Sequence, residues 1–194
     1  MTMEPEGIPR HRTNAPNHVY YFDIGTGIWH GKATFRVTSW HRLRQSRIGL
    51  RNKLFATAMH TVELLTGAPR QSSTIVAKPD EGEFGVAHNV VRISKFGVTL
   101  YLLKEEYVLE SDGTGVTVNG NEQLGPLPGL FARKFTYSAV IRDEGTAATY
   151  HMPLLGTPWV ANYQVSADRQ SLFAELVCDW GRATEETHRV GAPA

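Results

Sequence analysis

Hydrophobic and polar residues alternate most cleanly across positions 29–38. One parity holds Trp29, Gly31, Ala33, Phe35 and Val37, and the other holds His30, Lys32, Thr34, Arg36 and Thr38. A period of two with one apolar and one polar face predicts a strand. Over residues 41–65 the period changes. Leu43, Arg47, Leu50, Leu54, Ala58, Val62 and Leu65 recur at spacings of three and four, which predicts a helix with these residues along one face. Ser39 is placed to cap its start, and Gly67-Ala68-Pro69 to stop it. Gly49 costs about 1 kcal/mol relative to alanine and marks where the segment can divide into two shorter helices.

Residues 73–77, 85–94 and 98–110 are rich in β-branched and aromatic residues and read as strands. Asp112-Gly113 and Asn119-Gly120 are tight-turn dipeptides on either side of the short run 116–118. Gly125-Pro126-Leu127-Pro128-Gly129 predicts a loop. Phe135, Tyr137, Ala139 and Ile141 alternate, and Asp143-Glu144-Gly145 turns the chain into 147–152. After a corner at 153–158, Trp159, Ala161, Tyr163 and Val165 share a face. Segments 172–180 and 182–190 complete the pattern. About eight to ten short strands with one helical segment indicate a mainly β protein, a sandwich or barrel, not a sheet built from βαβ units. The reading adopted is a single antiparallel barrel with one amphipathic helix, or a helix pair, after the first strand. Residues 1–18, polar and with prolines at 5, 9 and 16, read as a flexible tail. Order is expected to begin near Val19-Tyr20-Tyr21-Phe22, and one domain to span 19–190, with a short tail at 191–194.

Gly27-Ile28-Trp29 resembles the G-x-W at the start of the first strand in the calycin superfamily, which includes lipocalins and fatty-acid-binding proteins. That resemblance implies that Arg189, late in the chain, covers the tryptophan. It also implies a helix in the lid position between strands one and two, and a small hydrophobic ligand inside the barrel. The chain lacks the arginine-x-tyrosine pair with which fatty-acid-binding proteins hold a carboxylate, which argues against fatty-acid recognition. A helix-grip fold is the structural alternative. It usually ends in a long helix, whereas 172–190 reads as strands.

Charge and composition narrow the function classes. With 20 basic and 19 acidic residues the formal charge is +1, so there is no global attraction to nucleic acid. No apolar run approaches the ~18 residues of a membrane-spanning helix, and the start lacks the apolar core of a secretory signal. The one cysteine, Cys178, excludes an intramolecular disulfide, fits a reducing cytoplasmic compartment, and reads as a small buried hydrophobe rather than a reactive thiol.

The eight histidines form no zinc signature, and no phosphate loop, dinucleotide fingerprint or nucleophile elbow is present, so neither a metal nor a cofactor is implied. His30 reads as solvent-facing in a filled barrel and as cavity-lining in a ligand-binding one. His151, beside Tyr150 near a corner, is a candidate general acid or base. Glu105-Glu106, Asp143-Glu144 and Glu185-Glu186 are adjacent pairs, and adjacent strand residues point to opposite faces, so each pair can send one carboxylate inward. The aromatics are the stronger signal. Trp29, Tyr101, Tyr107, Tyr137, Tyr150, Trp159 and Tyr163 are the candidate ligand-binding residues.

Three functions follow. The first is a carrier or sensor that encloses a small hydrophobic or aromatic molecule. The second is a cofactor-independent isomerase, cyclase or hydrolase that uses His151, Tyr150 or an inward carboxylate in the same cavity. The third is a peripheral membrane or protein-interaction module that uses the basic helix 41–65, where Arg42, Arg44, Arg47, Arg51 and Lys53 lie beside apolar residues.

Overall fold

The alternation at 29–37 becomes strand β1 (Gly27–Val37), buried at Trp29, Ala33, Phe35 and Val37 and exposed at His30, Lys32 and Arg36. The structure is a computed structural model that describes residues 24–78, 81–82, 84–111, 113–125 and 132–192. The expected tail at 1–18, the run Val19-Tyr20-Tyr21-Phe22 and the loop beyond Gly125 lie outside those residues. The remaining strands are β2 (Arg70–Lys78), β3 (Val86–Lys95), β4 (Val98–Leu109), β5 (Gly115–Leu124), β6 (Ala132–Arg142), β7 (Ala147–Met152), β8 (Trp159–Val165), β9 (Ser171–Val177) and β10 (Gly181–Gly191). Each pairs antiparallel with its successor, and β10 pairs with β1 to close the barrel. Closure removes the unpaired edges that an open sheet would leave. Among the described residues no helix is long and apolar enough to cross a membrane.

The helical segment divides as its glycine suggests, into α1 (Trp40–Gln45) and α2 (Leu50–Thr66). The Ser39 hydroxyl accepts the Arg42 amide at 3.4 Å, and Gly67, at φ 79°, ends α2. The buried face differs from the expected one. Asn52, Ala56, Met59 and Glu63 turn toward the barrel, whereas Leu50 and Leu54 are 73% and 61% exposed, and Leu64 and Leu65 are exposed as well. Asn52 is turned in by the Leu155 carbonyl, and at the Glu63 end the cause lies in β1, whose pairing with β2 stops at Lys32 opposite Arg70. Beyond that point α2 must supply hydrogen-bonding side chains to an unpaired backbone, and this requirement outweighs burial of the leucine stripe.

A second difference is at Asn119-Gly120, which lies inside β5 and not in a turn. Gly120 pairs with Glu105 on one side and Phe135 on the other. A Cβ there would stand 2.2 Å from Phe135 Cε2. The missing side chain makes room for an aromatic ring, one of the recurrent uses of glycine within a strand.

The inward faces form one core. Phe35, Trp159 and Trp180 cluster near the helices, with ring centroids 5.4–6.2 Å apart. Tyr107, Tyr137 and Tyr163 surround Tyr150 at 4.9–6.2 Å. Where β1 begins, the Arg189 guanidinium lies 4.8 Å from the Trp29 ring centroid and donates to the Ile24 carbonyl, while Trp29 Nε1 donates to Gly25 at 2.9 Å.

Candidate ligand cavity

Small side chains leave the space. Glu185 of β10 lies between Ala33 of β1 and Ala174 of β9, and Gln71 of β2 pairs with Gly31. Side chains fill most of the interior. Two adjoining chambers remain, and Val91, Tyr163 and Glu185 line both. The larger, about 80 Å³, is apolar. Phe55 and Met59 of α2 cover it together with Leu154 and Leu155, and Phe35, Tyr101 and Trp159 contribute to its walls. The smaller, about 30 Å³, is more polar, with Gln71, Ser73, Asn89, Tyr107, Tyr150 and Thr187 in its wall. A single water needs roughly 10–15 Å³ of such space, so the larger chamber has room for a ring or a short chain.

The cover over the larger chamber is tied down by hydrogen bonds. A 3-10 turn at Leu154–Gly156 places Leu155 at φ 52°. The Leu155 carbonyl accepts from Asn52 Nδ2 of α2 at 2.7 Å, and its amide donates to Glu122 Oε2 at 3.2 Å. Arg133 donates to the Pro153 carbonyl and pairs through Nε with Glu122 at 2.8 Å. Burial pushes the Glu122 carboxyl upward against the opposing effects of Arg133 and the Leu155 amide.

Two further carboxyls face inward, and both come from the adjacent pairs. Glu105 accepts from Tyr107 at 2.6 Å, from Asn89 Nδ2 at 3.0 Å and from Tyr137. It is held above the usual carboxylate range because burial outweighs those donors. Glu185 accepts from Gln71 Nε2 at 2.7 Å, and burial raises its carboxyl to about 7. Their sequence neighbours Glu106 and Glu186 face outward, and both Asp143 and Glu144 are exposed.

The aromatic candidates all point into the barrel. Tyr101, Trp159 and Tyr163 line the larger chamber, and Trp29, Tyr107, Tyr150 and Tyr163 the smaller. Tyr137 is buried and bound to Glu105, outside both walls. His151, adjacent to Tyr150 on β7, is exposed on the outer face, as is His30 on β1. Gln71, Asn89, Glu122 and Arg133 were not distinguished in the sequence. Parity carried the missed signal. Glu122 continues the series Val116, Val118, Gly120, which a turn at Asn119-Gly120 would have interrupted. Gln71 precedes Ser73 and Ile75 on the inward face of β2. Cys178 is half-buried and its thiol is pushed up to about 11 by burial. Among the described residues no group of three or more histidine, cysteine or acidic side chains is arranged to hold a metal.

No family model matches the chain, and no match was found among curated proteins or solved structures.

Proposed function

We propose that this protein encloses a small hydrophobic or aromatic molecule inside a calycin-like barrel, as a carrier or sensor. The observation that carries the reading is the apolar chamber beneath α2, walled by aromatic side chains and adjoining a polar chamber at Glu185. Ligand sites are typically apolar concavities with a few placed polar groups, and a barrel's interior is a common location. The calycin part of the reading is supported by a closed antiparallel barrel, a helix pair after the first strand, and Arg189 stacked on the tryptophan of Gly27-Ile28-Trp29. Trp29, Tyr101, Tyr107, Tyr150, Trp159 and Tyr163 are the proposed binding surface, with Tyr137 behind them holding Glu105. The test is native mass spectrometry of freshly purified protein, with Met59→Trp as the cavity-filling control. A small bound mass in the wild type that the variant lacks supports the reading. A clean apo mass together with no response to added apolar compounds overturns it.

A second reading, proton-transfer catalysis in the same cavity, is favoured by Glu185, whose carboxyl titrates near neutrality in the wall of both chambers. Turnover that Glu185→Gln abolishes while binding persists would favour this reading over simple carriage. The surface invites one more test. The exposed Leu50 and Leu54 of α2 stand beside the exposed Arg47 and Arg51, the composition of a helix that rests on an anionic lipid surface. Salt-sensitive co-sedimentation with anionic vesicles is the expected result if this face touches membranes, and its absence removes that role.

A further inference from the structure

We infer that the barrel selects an apolar molecule ending in a hydrogen-bond donor, a hydroxyl or primary amine, and that Gln71 and Glu185 recognise that end. This inference rests on the cavity-binding reading above.

The first observation is an incomplete hydrogen-bond set. Gln71 is 4% exposed and lines the smaller chamber. Its Nε2 donates to Glu185 Oε2, a bond that crosses β1 where β1 carries only Gly31 and Ala33. Its Oε1 is buried without a donor. Buried amide oxygens are nearly always paired, and one left unpaired beside a cavity calls for a donor from whatever fills it.

The second observation is how the neighbouring donors are spent. The Ser73 hydroxyl donates to Asn89 Oδ1 at 2.7 Å, and Asn89 Nδ2 serves Glu105 and Tyr107. The Gln71 oxygen therefore stands as an acceptor without a donor beside the Glu185 carboxyl, in a chamber whose wall also carries the hydroxyls of Tyr150, Tyr163 and Thr187. No lysine, arginine or histidine lines either chamber among the described residues, and Arg133 is held by Glu122 and Pro153. A ligand carboxylate would be buried opposite Glu185 with no cation to balance it, which is strongly disfavoured.

The third is placement. Glu185 lines both chambers, so an apolar body under Phe55 and Met59 brings its end to Glu185 and Gln71.

The test uses four matched six-carbon probes on the full-length protein at pH 7.5: 1-hexanol, hexylamine, 2-hexanone and hexanoate. Affinities come from isothermal titration calorimetry, with the rise in unfolding midpoint as a second readout. The expected result is that hexanol and hexylamine bind at least tenfold more tightly than the acceptor-only ketone and the anionic hexanoate. Gln71→Leu is expected to bring hexanol and hexanone within threefold of each other. Binding of all four probes with equal affinity, or preferred binding of hexanoate, overturns the head-group inference and leaves the cavity reading standing. Failure of every probe to bind overturns the head-group inference, and together with a clean apo mass it overturns the cavity reading as well. The wild-type comparison decides the matter even if the variant does not fold.

Discussion

The Glu63 carboxylate, on the inward face of α2, accepts the backbone amide of Phe35 in β1 and pairs with Arg36 Nε at 3.0 Å. It replaces a strand. β2 reaches no further than Lys32, yet the amides of Ala33, Phe35 and Val37 face the side where β2 would continue. Pro69 carbonyl receives the first at 3.2 Å, Glu63 the second, and His60 Nδ1 the third at 3.1 Å. The helix that covers the cavity thus also completes the barrel's hydrogen bonding. Glu63→Ala should destabilise the fold by about 2–3 kcal/mol, the range for losing a charged hydrogen bond and stranding a buried amide. Glu63→Gln, which keeps an acceptor, should cost about half of that. Urea denaturation of the three proteins checks the order, and equal loss in both variants would contradict the strand-replacement role.

Glu185 makes stability depend on pH in a defined direction. Its carboxyl stands near 7 when folded and near 4.5 otherwise, so the folded state binds more protons between those values. Stability is greatest below pH 4.5 as far as this group is concerned, and it falls as pH rises through about 7. At about 1.4 kcal/mol per pH unit, the loss approaches roughly 3 kcal/mol. Glu105 and Glu122 act in the same direction. Glu185→Gln should flatten the difference between urea midpoints at pH 5 and pH 8 without abolishing it. An unchanged difference would remove Glu185 as its source.

The two faces of α2 should respond in opposite ways to substitution. Leu54 is exposed, so Leu54→Gln should change stability by less than about 0.5 kcal/mol. Ala56 is fully buried against the barrel, and Ala56→Leu should cost about 1–3 kcal/mol through overpacking. The reverse order in thermal unfolding would restore the leucine stripe as the buried face.

Gly120→Ala forces a methyl group into the Phe135 ring and should cost about 1–3 kcal/mol. Phe135→Leu should relieve part of that loss, giving a favourable coupling energy of at least about 0.5 kcal/mol in a double-mutant cycle. Additive effects would show that the ring is not what requires glycine.

Cys178 should alkylate slowly. With its thiol raised to about 11 and half-buried, iodoacetamide labelling at pH 7 should run roughly a hundredfold or more below that of an ordinary free cysteine near 8.5. Labelling at the free-cysteine rate would contradict the burial.

Much of this was legible in the residue order because strand periodicity is local. The alternation from Trp29 to Val37 marks β1 and sorts its residues onto two faces, and Trp159, Ala161, Tyr163 and Val165 do the same for β8, but only the closed barrel fixes which face turns inward. Ser39, Gly49 and Gly67 marked where helices begin, break and end, since caps and breaks depend on a few neighbouring dihedrals. The adjacent glutamates announced that one of each strand pair could turn inward. Only the tertiary structure decided that Glu105 and Glu185 do so, because facing is set by cross-strand partners far away in the chain. It also decided that α2 buries Asn52 and Glu63 in preference to Leu50 and Leu54. Glu63 is turned inward by a gap in the β1 ladder, which exists only once β2 has been placed, and Asn52 by the Leu155 carbonyl it serves. The Gln71–Glu185 bond has the same origin. Two residues 114 positions apart meet across β1 because closure of the barrel brings β10 and β2 to its two sides.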